Sequence, residues 1–337
     1  MPLFHYSRNS RCQGHLGGVE KFAWHLHRCL GARVYAPAAD RPRLFEQLGR
    51  NLVRSRRLDG ALVVVDGGYL GALSAESSAY ALISLMHGTW AWRYHVLEGL
   101  PYERLRNRAE VRIQAAAWKN PRLAVVACAD HVAWELTDFM GIKRPVTVIR
   151  HGVDTELFHP PMRREPVGKK PVVIHAAADR VKREKLIPLL AELLPEFDFR
   201  FLGVKSGRPE DEAEGWRRGD LFLHIAAKEG NSYAMLEAMA TDLPAVVTSV
   251  GVFAADDGGC RRHARVIDPG LPPTDLPAVA DAIREAWERR REYHPREWIL
   301  RHATLETFTR DWRRFLNRIA AERGFPTYDA DYYADRS

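Results

Sequence analysis

Two glutamates in the second half of the chain stand where their side chains could meet a ligand. Glu229 follows a short apolar run, Leu221 to Ala227, and seven residues separate it from Glu237. The run ends in a Lys-Glu-Gly turn, which is typical of a buried strand that leaves a sheet at its carboxyl end. Ser232 is a good N-cap for a helix that continues to Ala240, because its hydroxyl can accept a hydrogen bond from the first turn.

A helix that begins at the carboxyl edge of a parallel sheet favours an anion, since its N–H groups and its dipole both point toward the ligand. Two carboxylates beside that place can accept hydrogen bonds from ligand hydroxyls. A ligand with both phosphate and hydroxyl groups would suit the site. The alternative is an ordinary amphipathic helix with Glu237 in solvent, and this stretch alone leaves both interpretations open.

Length and composition indicate a globular protein of two domains. The 337 residues exceed a typical single core, and 46% of them are hydrophobic and 28% charged. The sequence shows no apolar run of bilayer-spanning length and no signal sequence, so we expect a cytoplasmic protein, with a peripheral position at the inner membrane face as an alternative. The four cysteines are scattered, which predicts neither a disulfide framework nor a zinc site.

The positive charge lies in the first half of the chain. Residues 1–160 carry 21 Lys and Arg against 14 Asp and Glu, whereas residues 161–337 carry 29 of each. Much of the excess falls in two clusters, Arg41 to Arg57 and Arg104 to Arg122. Such clusters can meet DNA, an anionic membrane surface or a phosphorylated acceptor. Solvated, arginine-rich helices would explain them equally well.

Strands that alternate with helices predict two parallel sheets covered on both faces. A glycine-bearing loop, Cys12 to Gly18, precedes a helix with a helical apolar period that stops at Gly31. A basic, proline-bearing stretch up to Lys170 is the predicted linker. The predicted strands are Leu3–Ser7, Arg33–Tyr35, Ala61–Val65, Ala81–Met86, Leu123–Ala127 and Val146–Ile149, then Pro171–His175, Phe199–Gly203, Leu221–Ala227 and Ala245–Thr248.

Five short motifs occur in an order that is similar to that of one family. They are Gly17 to Glu20, His87 to Thr89, Ile149 to Asp154, Arg180 to Lys185 and Glu229 to Ala240. In these motifs the chain resembles family 4 of the retaining, nucleotide-sugar-dependent glycosyltransferases, over roughly residues 14 to 320. The resemblance implies an α/β protein of GT-B architecture, in which two Rossmann-like domains face each other across a cleft.

The resemblance and the predicted elements together suggest four segments. Residues 1–160 form an N-terminal acceptor domain and residues 161–304 a trimmed C-terminal donor domain. Residues 305–325 are expected to form a helix with one apolar face, made of Phe308, Trp312, Phe315 and Ile319. The resemblance implies that this helix returns to the N-terminal domain. Residues 326–337 form a polar, tyrosine-rich tail.

The resemblance also implies roles for single residues. Arg180 and Lys185 would stabilise the charge that develops on the departing diphosphate, although both could be solvated residues beside Lys182 and Arg183. Glu237 would hold the ribose hydroxyls and Glu229 a hydroxyl of the transferred sugar. Backbone groups complete the predicted donor site, which comprises Gly230, Asn231, Ser232 and Tyr233 next to the glutamates, and Gly17 and Gly18 in the first domain.

The resemblance implies that His87 lies beside the donor sugar, where either its backbone or its ring would stabilise an oxocarbenium-like centre. A lone histidine is more often a satisfied structural residue, and that alternative stays open. Relatives are thought to react on one face of the sugar, so we nominate no catalytic base. We expect neither a metal nor a cofactor, because the two cations would carry the leaving-group charge.

The sequence departs from the family pattern at three places, and two of them, residues 203–220 and the segment after Gly251, leave donor specificity open. Between Gly203 and Asp220 we expect only a charged loop in place of a base-binding strand and helix, so the donor base could be uridine, guanosine or adenosine. His151 stands where asparagine is usual. Gly251 is followed by Val252-Phe253 instead of a second glycine.

The acceptor is the least determined part of the prediction. Trp90, Trp92 and Tyr94 could stack on a sugar ring or an exposed base, or could simply pack in the core. The open acceptors are a glycan or lipid, a small natural product, and DNA with a hydroxymethylated base that is flipped out of the helix. A protein of another class, one that binds nucleic acid or nucleotide without catalysis, would explain the charge but not the four site residues Arg180, Lys185, Glu229 and Glu237.

Overall fold

The computed structural model describes residues 1–6, 17–35, 58–66, 80–87, 118–120, 122–139, 141–161, 170–176, 182–203, 208–255 and 257–329. The chain divides into two compact units. The first comprises Met1–Arg150 and Phe308–Ser337, and the second comprises His151–Thr307.

The first unit is built on a six-stranded parallel sheet with the order β2-β1-β3-β4-β5-β6. Every residue of the two central strands β3 and β4 is buried, as expected for parallel strands covered on both faces. The predicted strands are confirmed to within two residues at each end. The strands are β1 Leu3–Tyr6, β2 Arg33–Tyr35, β3 Leu62–Asp66, β4 Ala81–Met86, β5 Ala124–Ala127 and β6 Val146–Val148.

Three helices are described in the first unit. Helix α1, Gly18–Leu30, ends as predicted at Gly31, whose φ of 59° is the left-handed conformation that glycine adopts without strain. Helix α2, Asp130–Trp134, continues into a π-helical turn, Glu135–Phe139. The last helix, Leu305–Arg323, belongs to the first unit from its fourth residue onward.

That last helix packs on α1 through aromatic side chains. The rings of Phe308 and Trp312 lie 5.8 and 5.9 Å from the ring of Phe22 on α1. All three side chains are buried. The apolar face that the sequence shows on the last helix is thus the face that enters the core of the first unit.

The second unit contains a five-stranded parallel sheet with the order β11-β10-β9-β7-β8. The sequence did not predict the edge strand β11, which has only three residues and is half-buried. The strands are β7 Val172–His175, β8 Asp198–Phe201, β9 Leu221–His224, β10 Ala245–Thr248 and β11 Arg265–Ile267.

The prediction of a plain charged loop between Gly203 and Asp220 is wrong. Residues 209–217 form a helix, α4, with a proline in its first turn and three acidic residues that complement the helix dipole. Its Ala213 and Trp216 are fully buried. The charged sequence hid a helix because only two of its side chains enter the core. The second unit is therefore less reduced than the sequence suggests.

Two cores cover the two faces of the second sheet. One contains Ile174 and Phe222 of neighbouring strands, and the other contains Val173 and Leu221. The helices after β7 and β9 pack on opposite faces. The helices are α3 Ile187–Leu193, α4 Pro209–Arg217, α5 Tyr233–Ala240, α6 Leu271–Thr274, α7 Leu276–Glu288 and α8 Pro295–His302, and the last helix is α9.

The strand order gives each sheet one point where the chain changes direction. In the second sheet β7 lies between β8 and β9, and in the first sheet β1 lies between β2 and β3. Loops that follow the strands on either side of such a point diverge to opposite faces and leave a crevice at the carboxyl ends. Open parallel sheets bind their ligands in that crevice.

Candidate functional site

The loop after β9 lies at the change of direction in the second sheet and is held by neighbouring elements. The hydroxyl of Thr248, at the end of β10, donates to the carbonyl of Ala226 over 2.6 Å. The guanidinium of Arg183 donates to the carbonyl of Ile225 over 3.1 Å. Both donors satisfy carbonyl groups that have left the sheet, so the start of the loop is fixed from two sides.

His151 fixes the far end of this loop. Its Nδ1 lies 2.8 Å from the carbonyl oxygen of Asn231, and its ring stacks on Tyr233 with centroids 4.8 Å apart and planes inclined by 12°. All three residues are buried. At the position where the resembled family has asparagine, the imidazole thus bonds the loop and also packs against the first residue of α5.

Gly251 packs against the same loop. Its φ is 61°, and a Cβ atom there would lie 3.6 Å from the carbonyl oxygen of Gly230 and 3.7 Å from Cβ of Glu229. The following Val252 and Phe253 form a short 3₁₀ turn and are buried in the core. The altered sequence after Gly251 therefore supplies core packing close to the Glu229 loop.

Glu229 is the central side chain of the loop. Nζ of Lys182 and Nε2 of His224 each lie 3.5 Å from its Oε1. Burial by itself raises the pKa of this carboxyl group, but the interactions with His224 and Lys182 outweigh burial and hold the pKa below its usual value. The side chain is 15% exposed. Glu229 is thus an ionised acceptor at neutral pH, largely enclosed by protein.

Glu237 lies in the second turn of α5 and is more deeply buried. It is 1% exposed, and its Oε2 accepts a hydrogen bond of 3.4 Å from Nε1 of Trp216 on α4. A helix that the sequence did not predict thus supplies a partner for one of the two predicted glutamates.

The predicted start of α5 is confirmed, but the prediction that the Ser232 hydroxyl caps the helix is wrong. Ser232 is the N-cap residue with an extended backbone, yet its side chain makes no capping hydrogen bond. Its backbone carbonyl accepts from the N–H of Leu236. The serine is buried, so it terminates the loop through its backbone rather than its hydroxyl.

The basic residues after β7 are only partly described. Arg180 lies outside the described residues. Lys185 is exposed on the 3₁₀ turn Glu184–Leu186, and its role at the diphosphate stays a prediction. Lys182 is the basic side chain of this segment that lies next to Glu229, while Arg183 adopts a left-handed φ of 58° and bonds the β9 loop.

In the first unit, His87 belongs to a cluster of three side chains at the carboxyl ends of β1, β3 and β4. Oδ1 of Asp66 lies 2.9 Å from Nε2 of His5 and 3.3 Å from Nε2 of His87. Burial raises the pKa of Asp66, but the charge and hydrogen bonds of the two histidines outweigh it and hold the pKa well below its usual range. His87 is 18% exposed, His5 is 0% exposed and Asp66 is 7% exposed.

Gly17 and Gly18 stand at the start of α1 as predicted, Gly17 as N-cap and Gly18 as the first helical residue. The space where Gly17 would carry a Cβ atom is taken by the carboxylate of Glu20. A side chain at position 17 would therefore displace an acidic group of the first helical turn. The approach of a diphosphate to these glycines stays a prediction.

Several predicted features lie outside the described residues. They are Trp90, Trp92 and Tyr94, the basic cluster Arg41 to Arg57 and most of the cluster Arg104 to Arg122. In the described ranges, no group of three or more His, Cys, Asp and Glu has the geometry to hold a metal ion. No described helix has the length and apolarity needed to cross a membrane.

Comparison with known proteins adds to this geometry. No protein-family model matches the chain. The sulfoquinovosyl transferase SQD2 of Arabidopsis thaliana is 26% identical over 206 residues, which are 51% of this chain and 38% of that protein. The chain thus spans well under half the length of the curated relative it matches.

Solved structures resemble the chain over nearly its whole length. The sucrose-phosphate synthase of Thermosynechococcus elongatus has a TM-score of 0.76 at 14% identity and covers 96% of this chain and 100% of its own. HepE of Anabaena, solved with UDP and glucose, has a TM-score of 0.70 at 14% identity and covers 94% and 99%. The protein has a GT-B fold. At this identity the likeness establishes the fold alone. The two units, each an α/β unit with one parallel sheet, agree with that fold.

Sequence reasoning missed three residues that contact the predicted site residues: His224 and Lys182 beside Glu229, and Asp66 beside His87. A signal existed for His224, because a histidine that ends a buried apolar strand is unusual in a core position. Asp66 gave a similar signal at the end of β3. Lys182 gave none, since its neighbours along the chain are also basic.

Proposed function

We propose that the protein is a retaining glycosyltransferase that moves a hexose-type sugar from a nucleoside-diphosphate sugar to an acceptor hydroxyl. The observation that carries this proposal is the position of Glu229. An ionised carboxylate, held by His224 and Lys182, lies in the crevice of the second sheet immediately before the start of α5. Sugar hydroxyls donate well to such an acceptor.

The start of α5 suits the phosphates of the donor. Its first N–H groups and its dipole favour an anion, and the Ser232 hydroxyl makes no competing cap. Glu237 is proposed to take the ribose hydroxyls. Because its side chain is buried, nucleoside binding would require it to exchange its contact with Trp216 or to add a second one.

The remaining residues have roles that follow from charge development. Arg180 and Lys185 are proposed to stabilise the leaving diphosphate, whose negative charge grows in the transition state. His87 is proposed to lie beside the donor sugar and to stabilise the oxocarbenium-like centre that forms in the reaction. The proposal includes no metal and nominates no protein base, so the departing phosphate would take the acceptor proton.

The relatives support a sugar-nucleotide donor. The Arabidopsis protein is named as a sulfoquinovosyl transferase, and the Anabaena protein was solved with UDP and glucose. We therefore place UDP-sugars first among the donors to be tested, before GDP- and ADP-sugars. The proposed acceptor is a hydroxyl of a glycan, a lipid or a small natural product.

The test is a thermal-shift and donor-hydrolysis screen with UDP-glucose, GDP-mannose and ADP-glucose. Glu229→Gln and Glu237→Gln are the site variants, and Glu288→Gln, an exposed residue at the end of α7, is the matched control. We expect one donor to raise the melting temperature of the parent and of the control but not of the site variants. Donor hydrolysis should follow the same pattern.

The stereochemistry of the released or transferred sugar tests the finer part of the proposal. NMR of the anomeric proton in the first product should show the configuration of the donor. An inverted product would disprove retention while leaving the transferase activity in place. Absence of a thermal shift with every donor would instead contradict the enzyme proposal and favour a binding protein without catalysis.

A further inference from the structure

The cluster of His5, Asp66 and His87 follows from strand register. In the parallel pairs, His5 is opposite Val64 and Asp66 is opposite Leu85. Because side chains alternate along a strand, His5, Asp66 and His87 all project on one face of the sheet. This face is the one against which α1 packs, and the ring of Phe22 contacts both histidines edge-on, at 5.5 Å from His5 and 5.0 Å from His87.

Stability alone does not explain such a cluster. The strands around it are mostly apolar, and a buried carboxylate with a buried imidazole must be desolvated at considerable cost. Apolar residues of similar volume would fill the same space at least as stably. The three polar groups therefore need a reason other than packing, and their place beside the change of direction at β1 and β3 supplies one.

We propose that Asp66 and His5 are positioning residues that hold the ring of His87 with its hydrogen on Nε2. Both histidines have to donate from Nε2, since Asp66 accepts from both on the same oxygen. When the ring carries a single proton, this contact holds that proton on Nε2 and leaves Nδ1 as an acceptor. His87 is the most exposed of the three, so it is the member that meets the substrate.

His5 acts on His87 only through Asp66. It is fully enclosed, and its hydrogen bond of 2.9 Å turns the carboxylate so that Oδ1 faces both rings. Phe22 restricts the remaining rotation of both rings. The arrangement matches a catalytic histidine oriented by a buried carboxylate, with a third group that orients the carboxylate. This inference rests on the proposed sugar transfer for its function but not for its geometry.

The first test needs no activity. In ¹⁵N spectra of histidine rings, recorded on the full chain and assigned with His87→Gln, the parent should show His87 in a single Nε2–H form. The double variant His5→Leu/Asp66→Leu replaces both partners with apolar groups and avoids an unpaired buried charge. In it the His87 signals should average between the two tautomers. Unchanged His87 signals would overturn the proposal.

Kinetics supply the second test. His5→Leu/Asp66→Leu should lower kcat by about 100-fold with little change in the donor KM, because a displaced catalytic group affects the transition state. The single variant His5→Gln keeps Asp66 and puts an amide donor at the place of Nε2. It should therefore retain most of the kcat of the parent. Equal kcat values in the parent and the double variant would overturn the proposal. The parent could show no turnover while the His87 signals still average in the double variant. That result would support the positioning role of His5 and Asp66 and would contradict the proposed transferase instead.

Discussion

The indole Nε1 of Trp216 donates to Oε2 of Glu237, and this bond joins α4 to α5 inside the second unit. Both side chains are buried, so the bond connects a helix hidden in a charged stretch to a predicted ligand-binding residue. The orientation of the Glu237 carboxylate therefore depends on Trp216, a residue for which no contact with the donor is predicted.

Trp216→Phe should weaken donor binding through Glu237. The ring volume is largely kept, but the carboxylate loses a donor worth about 1 kcal/mol, which corresponds to about a fivefold rise in Kd. Titration calorimetry with the donor found in the screen measures the change. Trp287→Phe, on α7, is the control and should bind like the parent; equal affinity in both variants would show that Trp216 does not orient Glu237.

Lys182→Met should raise the pH below which donor binding is lost. Lys182 is one of the two groups that lower the pKa of Glu229, so its removal raises that pKa and protonates the carboxylate earlier as the pH falls. Donor affinity measured between pH 4 and 8 gives this pH. Lys170→Met, an exposed residue just before the amino end of β7, should leave that pH in place, because Lys182 follows the opposite, carboxyl end of the strand. A shift of equal size in this control would contradict the assignment.

His175 should make the second unit less stable in mild acid. Burial lowers its pKa to about 4 from 6.5, so the folded protein keeps the ring neutral. Between pH 6.5 and 4 the unfolded chain binds a proton that the folded protein does not. The free energy of unfolding should therefore decrease as the pH falls through this window, by about 3 kcal/mol at most.

Urea denaturation of the parent and of His175→Phe at several pH values measures this effect. The ring of Phe201 lies 5.5 Å from the His175 ring and can pack against the new side chain. The stability of His175→Phe relative to the parent should rise as the pH falls from 6.5 to 4. Leu189→Phe, at an exposed position on α3 that carries no titratable group, serves as the control, and its difference from the parent should stay constant.

Arg296→Met should destabilise the second unit by about 3 kcal/mol, because three carbonyl groups lose a charged donor. The guanidinium donates to the carbonyls of Phe158 at 2.8 Å, Thr155 at 3.1 Å and Ala240 at 2.5 Å. The midpoint of urea unfolding measures the loss. Arg291→Met, on the exposed turn Arg290–Glu292, is the matched control, and an equal loss in the control would mean that the three bonds contribute little.

Features set by local sequence could be predicted, and features set by tertiary contact could not. Strand β4 and the end of α1 at Gly31 follow from apolar runs and from one glycine, and the structure confirms both. The pairing of Lys182 with Glu229 depends on loops from two neighbouring strands, which sequence order alone does not bring together. Helix α4 was missed because its surface is charged and its buried face is narrow.

The position of Phe308 and Trp312 against Phe22 has a consequence for synthesis of the chain. The core around α1 uses side chains that the ribosome adds almost 300 residues after α1 itself. The second unit, residues 151–307, is contiguous and emerges before the part of α9 that belongs to the first unit. Folding during translation should thus complete the second unit first and leave the earlier-made one with an open apolar surface until the last helix arrives.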